Sequence, residues 1–190
     1  MLNKKYFAKV RQNLLSYAEK RRVVIKEAGD AQHLAKKAIF SLQRDATKEA
    51  EQCLDESLAL LSGLVKKYSK EVRLLDEGSF KAGLEEYTEA KLFKLFLDGK
   101  ELTEIKELPV SSDAFVSGLC DVPGEMVRYA IKSATERKFD LVRQCYDGAE
   151  SIINELIDMD LTGYNRQKFD QAKQALQKLQ QIVYEVSLKS

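Results

Sequence analysis

The sequence predicts an all-α protein, a helical bundle opened by one very long helix, and three observations carry that prediction. Apolar residues recur at alternating spacings of three and four along most of the 190-residue chain. No stretch sustains the period-two alternation of a half-buried strand. Gly and Pro, at 9 and 2, are too few for a loop-rich β fold. With 44% hydrophobic and 32% charged residues the chain has the apolar surface for a core, which excludes a disordered protein. The length fits one domain, residues 1–190.

Taken in order, the first element is the longest. Phe7, Val10, Leu14, Tyr17, Val24, Ala28, Ala31, Ala35, Ala38 and Leu42 form one stripe, in which Arg21 is the only polar residue. Such a helix spans roughly 60 Å at its rise per residue, with Gly29-Asp30 as the one place to bend. Leu54, Leu58, Leu61, Val65 and Tyr68 repeat the pattern, and Leu84, Leu92, Phe93, Phe96 and Leu97 mark a helix around 80–97. Gly99 and Pro109 punctuate the connection that follows. Ser111-Ser112-Asp113 then offers N-cap chemistry for a helix running to about residue 136. Two more stripes close the chain: Phe139, Val142, Tyr146, Ala149, Ile153, Leu156, and Phe169, Ala172, Leu176, Leu179, Val183, Val186.

The formal charge of +1 removes any argument from global basicity, yet the distribution is uneven. Residues 1–44 hold 11 Lys/Arg against 3 Asp/Glu, whereas residues 45–113 hold 10 against 16. An anionic partner is therefore attracted by the N-terminal segment. Cys53, Cys120 and Cys145 have no CxxC spacing and are odd in number, which argues against a disulfide framework or a thiolate zinc site. No signal-like apolar core and no membrane-length apolar run occur, so the expectation is a soluble cytoplasmic protein without membrane contact.

The residue types narrow the chemistry. One histidine, His33, excludes a two-histidine ribonuclease and the paired Glu-x-x-His motifs of di-iron bundles, and Asp30-x-x-His33 reads as a surface pair. Cys120 lacks a histidine base and reads as a packing residue. Carboxylates remain. Glu86 and Glu89 lie three apart and share a helix face; Asp121 and Glu125, four apart, share one if the helix passes through Pro123. A Pro inside a helix costs about 3 kcal/mol and a Gly such as Gly124 about 1 more, so two helices broken there are the alternative. On that alternative Glu85, Glu86 and Glu89 form a solvated face and Asp121 is a cap. Facing pairs would instead make a four-carboxylate cluster that needs cations, with all-oxygen ligation suited to Mg²⁺ or Mn²⁺ and to phosphodiester hydrolysis.

The segments Glu86-Tyr87-Thr88-Glu89-Ala90, Ser117-Gly118-Leu119-Cys120-Asp121-Val122-Pro123-Gly124-Glu125-Met126-Val127-Arg128 and Val183-Tyr184-Glu185-Val186-Ser187-Leu188 resemble translin and, more closely, translin-associated factor X. The resemblance implies a seven-helix bundle, a large hollow closed oligomer and single-stranded RNA held inside it. It places the catalytic, metal-binding acidic positions of translin-associated factor X on Glu86, Glu89, Asp121 and Glu125, all acidic here. Pro123 and the short termini depart from the family pattern. The expected function is a Mg²⁺-dependent endoribonuclease acting as a homo-oligomer, an octamer. A non-catalytic translin-type RNA- or DNA-binding scaffold is the alternative, and a nucleotide pyrophosphohydrolase using Glu85-Glu86-Tyr87-Thr88-Glu89 is a third reading. Arg21 or Arg22, with Arg128, are the expected phosphate contacts, against a structural ion pair for Arg21.

Overall fold

A computed structural model describes residues 1–188, which contain seven helices and no strand. They are α1 (Lys4–Leu42), α2 (Thr47–Tyr68), α3 (Val72–Leu75), α4 (Gly78–Leu97), α5 (Ser112–Thr135), α6 (Phe139–Ile157) and α7 (Gly163–Ser187). The six long helices are those the sequence predicts, five from apolar spacing and α5 from its N-cap. The four-residue α3 is too short to carry a period and was invisible to that argument.

Local chemistry sets the ends. Asn3 caps α1 by accepting from the Tyr6 amide, and Ser111 caps α5 by accepting from that of Ala114. Helix α4 stops where Gly99 takes a φ of +66°, a left-handed conformation that lets the Lys100 amide fold back onto the Leu95 carbonyl at 2.9 Å.

α1 packs on α2 and α4, while α5 packs on α6 and α7; the α4–α5 contact joins the two groups. On α1, Val24, Ala28, Ala31, Ala35 and Ala38 are fully buried. Four alanines on one face let neighbouring backbones approach, and the Ser57 hydroxyl donates to the Ala31 carbonyl at 2.9 Å. The first half of the same stripe has no such cover: Phe7 and Leu14 are 47% and 59% exposed. Continuous periodicity thus gives the helix its length but not its burial, since α2 and α4 end before they reach that half. Tyr17, Lys20 and Arg21 mark the boundary, binding Glu77, Glu71 and Glu77 respectively.

α5 runs unbroken through Pro123, so the two-helix alternative fails and Asp121 and Glu125 share a face. Pro123 and its neighbour Val122 are buried, and tertiary packing outweighs the local penalty. Gly118 fixes how near α5 comes to α4. A Cβ there would lie 2.9 Å from the Glu85 carbonyl and 2.9 Å from the Thr88 side chain, so only glycine fits.

Candidate acidic site at the α4–α5 seam

The seam places Glu86 and Glu89 of α4 beside Asp121 and Glu125 of α5. Buried Tyr87, Ala90 and Phe93 anchor α4 in the core. α5 is pinned to the end of α1, where Gln43 Nε2 donates at 2.9 Å to both the carboxylate and the backbone carbonyl of Glu125. In the α1–α2 turn, Asp45 accepts from Tyr129 Oη at 2.8 Å and pairs with Lys132, holding the next turns of α5.

Glu89 is at the centre. It is 7% exposed and, among the described residues, makes no hydrogen bond or ion pair. Burial, then the charges of Asp121, Glu86 and Glu125, push its carboxyl up to about 9, opposed by Lys168. Glu86, Asp121 and Glu125 are also raised, burial first in each case. Glu86 faces Gln32 at 3.4 Å and Lys36 at 3.5 Å, and Glu125 faces Arg128 at 3.4 Å. Four carboxyls displaced the same way, burial first in each, mark the seam as a desolvated acidic cluster.

An open pocket of about 250 Å³ exposes one flank of the seam and is lined by Lys36, Ile39, Phe40, Glu86, Glu89, Glu125 and Arg128. Asp121 turns to the other flank, where Lys168 of α7 pairs with both Asp121 and Glu85. Tyr164 Oη donates to Glu85 at 3.0 Å, and a pocket of about 460 Å³ adjoins Glu85, Asp113, Tyr164 and Asn165. Among the described residues no three His, Cys, Asp or Glu side chains stand close enough to hold one metal ion. The donor set nevertheless fits a hard divalent cation in kind: all ligating atoms are carboxylate oxygens, and Glu89 lacks any partner.

The four acidic residues singled out from the sequence thus gather on one seam, with Arg128 at its rim. Arg21 does not join them. It pairs with Glu77 at 2.7 Å, the structural ion pair weighed against a phosphate contact, and lies roughly 22 Å along α1 from Lys36 by helical rise. Arg22 is exposed on the same stretch, as is His33 nearer the seam. Cys120 is buried with its thiol pushed up to about 12, which suits packing and not nucleophilic attack. Sequence reasoning missed Lys168, Gln32 and Gln43, whose roles come from tertiary contacts. It also missed Phe40, one of several large apolar residues outside the α1 stripe.

Fold and seam together define an all-helical bundle with a largely buried carboxylate cluster between its two groups of helices. The sequence profile of the translin family matches residues 19–190, and the chain belongs to that family. Three solved structures share the fold over nearly the whole chain. The apo-NeC3PO crystal structure has a TM-score of 0.87 at 20% identity, covering 98% of this chain and 98% of that one. The AfC3PO crystal structure has a TM-score of 0.85 at 22% identity, covering 97% and 98%. A structure of AfC3PO in complex with duplex RNA gives 0.85 at 22%, covering 97% of each. No curated protein matches the sequence.

Proposed function

We propose that this chain is a metal-dependent endoribonuclease of the translin-associated factor X type, cleaving single-stranded RNA in the cytoplasm within a closed homo-oligomer, an octamer. The observation that carries the reading is Glu89, a buried carboxylate without a partner among three others in a translin-family chain. Bound by Glu86, Glu89, Asp121 and Glu125, Mg²⁺ or Mn²⁺ would neutralise the cluster and make water a better nucleophile toward a phosphodiester. Arg128 and Lys36 at the rim offer positive charge to the phosphates on either side of the scissile bond. Exposed Phe7, Leu14 and Leu15 on α1, with Tyr184 on α7, supply apolar surface for subunit contacts.

One observation favours the scaffold reading: Lys168 already engages Asp121, and no three carboxylates are gathered around one point among the described residues. Incubation of the protein with labelled single-stranded RNA, DNA and nucleoside triphosphates, in Mg²⁺ and in EDTA, separates the readings. Cleavage confined to single-stranded RNA in Mg²⁺ is the expected outcome, while binding without cleavage in either condition selects the scaffold. Glu86→Ala, Glu89→Ala, Asp121→Ala and Glu125→Ala should each abolish cleavage and leave RNA binding largely intact; an active Glu125→Ala enzyme refutes the assignment. Because the AfC3PO complex contains duplex RNA, duplex binding and duplex cleavage are measured separately, and resistance to cleavage is expected. Light scattering that returns a stable 21.6 kDa monomer would refute the enclosed assembly.

A further inference from the structure

We infer that Phe40 is a stacking platform for a nucleobase of the RNA strand, setting an unpaired nucleotide at the mouth of the acidic pocket. The inference rests on the reading of that pocket as an RNA site and names a residue that selects the form of the substrate. Phe40 lies off the α1 stripe. Its neighbours Ala38, Ile39 and Leu42 are buried in the bundle, whereas Phe40 is 59% exposed. Its ring lines the same pocket as Glu86, Glu89 and Glu125, so an aromatic face stands beside the carboxylates and not on a remote surface. No ring contact or cation–π contact engages it among the described residues.

The charge around the ring fits a nucleic-acid strand better than an apolar partner. Lys36 lies one helical turn before it and is half exposed, Lys37 is exposed, and Arg128 borders the pocket from α5 with its side chain 61% exposed. Cations flanking an aromatic ring are the combination that holds single strands: the cations track phosphates while the ring takes a base. Every base has a π face, so such a platform tolerates sequence but requires an unpaired nucleotide. Phe40 would therefore select single strands within one subunit, independently of any enclosure by the oligomer.

The chain contains no tryptophan, so Phe40→Trp installs a single indole reporter at the site. Full-length Phe40→Trp, Phe40→Ala and wild-type proteins are titrated in EDTA with a labelled single-stranded RNA, the same RNA made duplex, and the same RNA carrying abasic positions. Fluorescence anisotropy of the labelled strand reports affinity, and indole emission reports stacking. Phe40→Trp should match wild-type affinity within about twofold, with emission quenched along the binding curve by single-stranded RNA and not by duplex or abasic RNA. Phe40→Ala should bind single-stranded RNA about tenfold more weakly, as expected for the loss of one stacked base. Wild-type binding with a Phe40→Trp emission that does not respond overturns the platform and leaves the RNA reading standing. Absence of wild-type binding overturns the RNA reading and the platform with it. Light scattering should give one mass for all three proteins; a smaller mass for Phe40→Ala makes Phe40 a subunit contact and overturns the inference.

Discussion

The two flanks of the acidic seam solve one problem in opposite ways. Toward α7, Asp121 and Glu85 share Lys168, whose ammonium is mostly buried and whose affinity for its proton is raised by the hydrogen bonds to those two carboxylates against the opposing effect of burial. Toward α1, Glu86 and Glu125 face amides and half-exposed cations at 2.9 to 3.5 Å, and Glu89 faces none. One flank is compensated by the protein's own lysine; the other is left electrostatically incomplete beside an open pocket. The difference teaches that an acidic cluster is not one object: in the metal-free protein Asp121 already has a buried lysine to share, which a cation would have to displace, and Glu89 has none.

The strongest way to break the contrast is Lys168→Met. It leaves two largely buried carboxylates without their partner and should destabilise the metal-free protein by about 3 kcal/mol. Chemical unfolding in EDTA measures the loss, and Mg²⁺ should restore part of it if the freed Asp121 accepts a cation. No loss in EDTA would mean that the α7 flank is as loosely held as the other.

Glu89→Gln sharpens the contrast from the other side. The carboxyl of Glu89 is raised on folding, so between its ordinary pKa and about 9 the folded protein binds more protons than the unfolded chain. Stability from this group is complete below its unfolded pKa and declines as pH rises toward 9. The fall should be about 2 kcal/mol between about pH 6 and 7.5 in EDTA. Glu89→Gln should flatten this decline, as should Mg²⁺ with the wild-type protein; an unchanged slope in the variant removes Glu89 from the centre of the seam.

Smaller effects are expected outside the carboxylates. Neutralising Arg21, Arg22 and Arg128 together should weaken single-stranded RNA binding and lower the log–log salt slope by about 1.4, the value for two phosphate contacts. Arg21 should account for least because Glu77 holds it; a salt slope unchanged in the triple variant rules these residues out. Replacing exposed Phe7 and Leu14 with Ser should leave subunit stability within about 0.5 kcal/mol while reducing assembly mass. Unfolding and light scattering on the same samples test both halves of that statement.

The residues that announced themselves in the sequence are those whose role is periodic or paired along one helix. Apolar spacing located five of the long helices and N-cap chemistry the sixth, and the i,i+3 and i,i+4 carboxylates fell on shared faces. The continuity of α5 through Pro123 was not legible, because the penalty is local and its compensation is tertiary. Nor was the bare first half of α1 legible: Phe7 and Leu14 obey the same period as Ala35 and Ala38, and the period says nothing about where the packing helices end. Lys168 stood among 31 basic residues with nothing to mark it, since its meaning arises from α7 crossing α5. Phe40 departed from the stripe, but so did Tyr6, Leu15 and Ile25, and only the tertiary fold sets Phe40 beside the carboxylates.

The missing side chain at Gly118 has a mechanical consequence. With the backbone of α5 against the Glu85 carbonyl, the Thr88 side chain and the Glu89 amide at 2.9 to 3.0 Å from a would-be Cβ, the helices are in register like meshed teeth. Any side chain at 118 would push the two helices apart, and with them the carboxylates that each carries. The same close approach ties the seam to one residue: shrinking residue 88 would relieve one contact and leave those with the Glu85 carbonyl and the Glu89 amide, so the spacing of the carboxylates is inherited with Gly118.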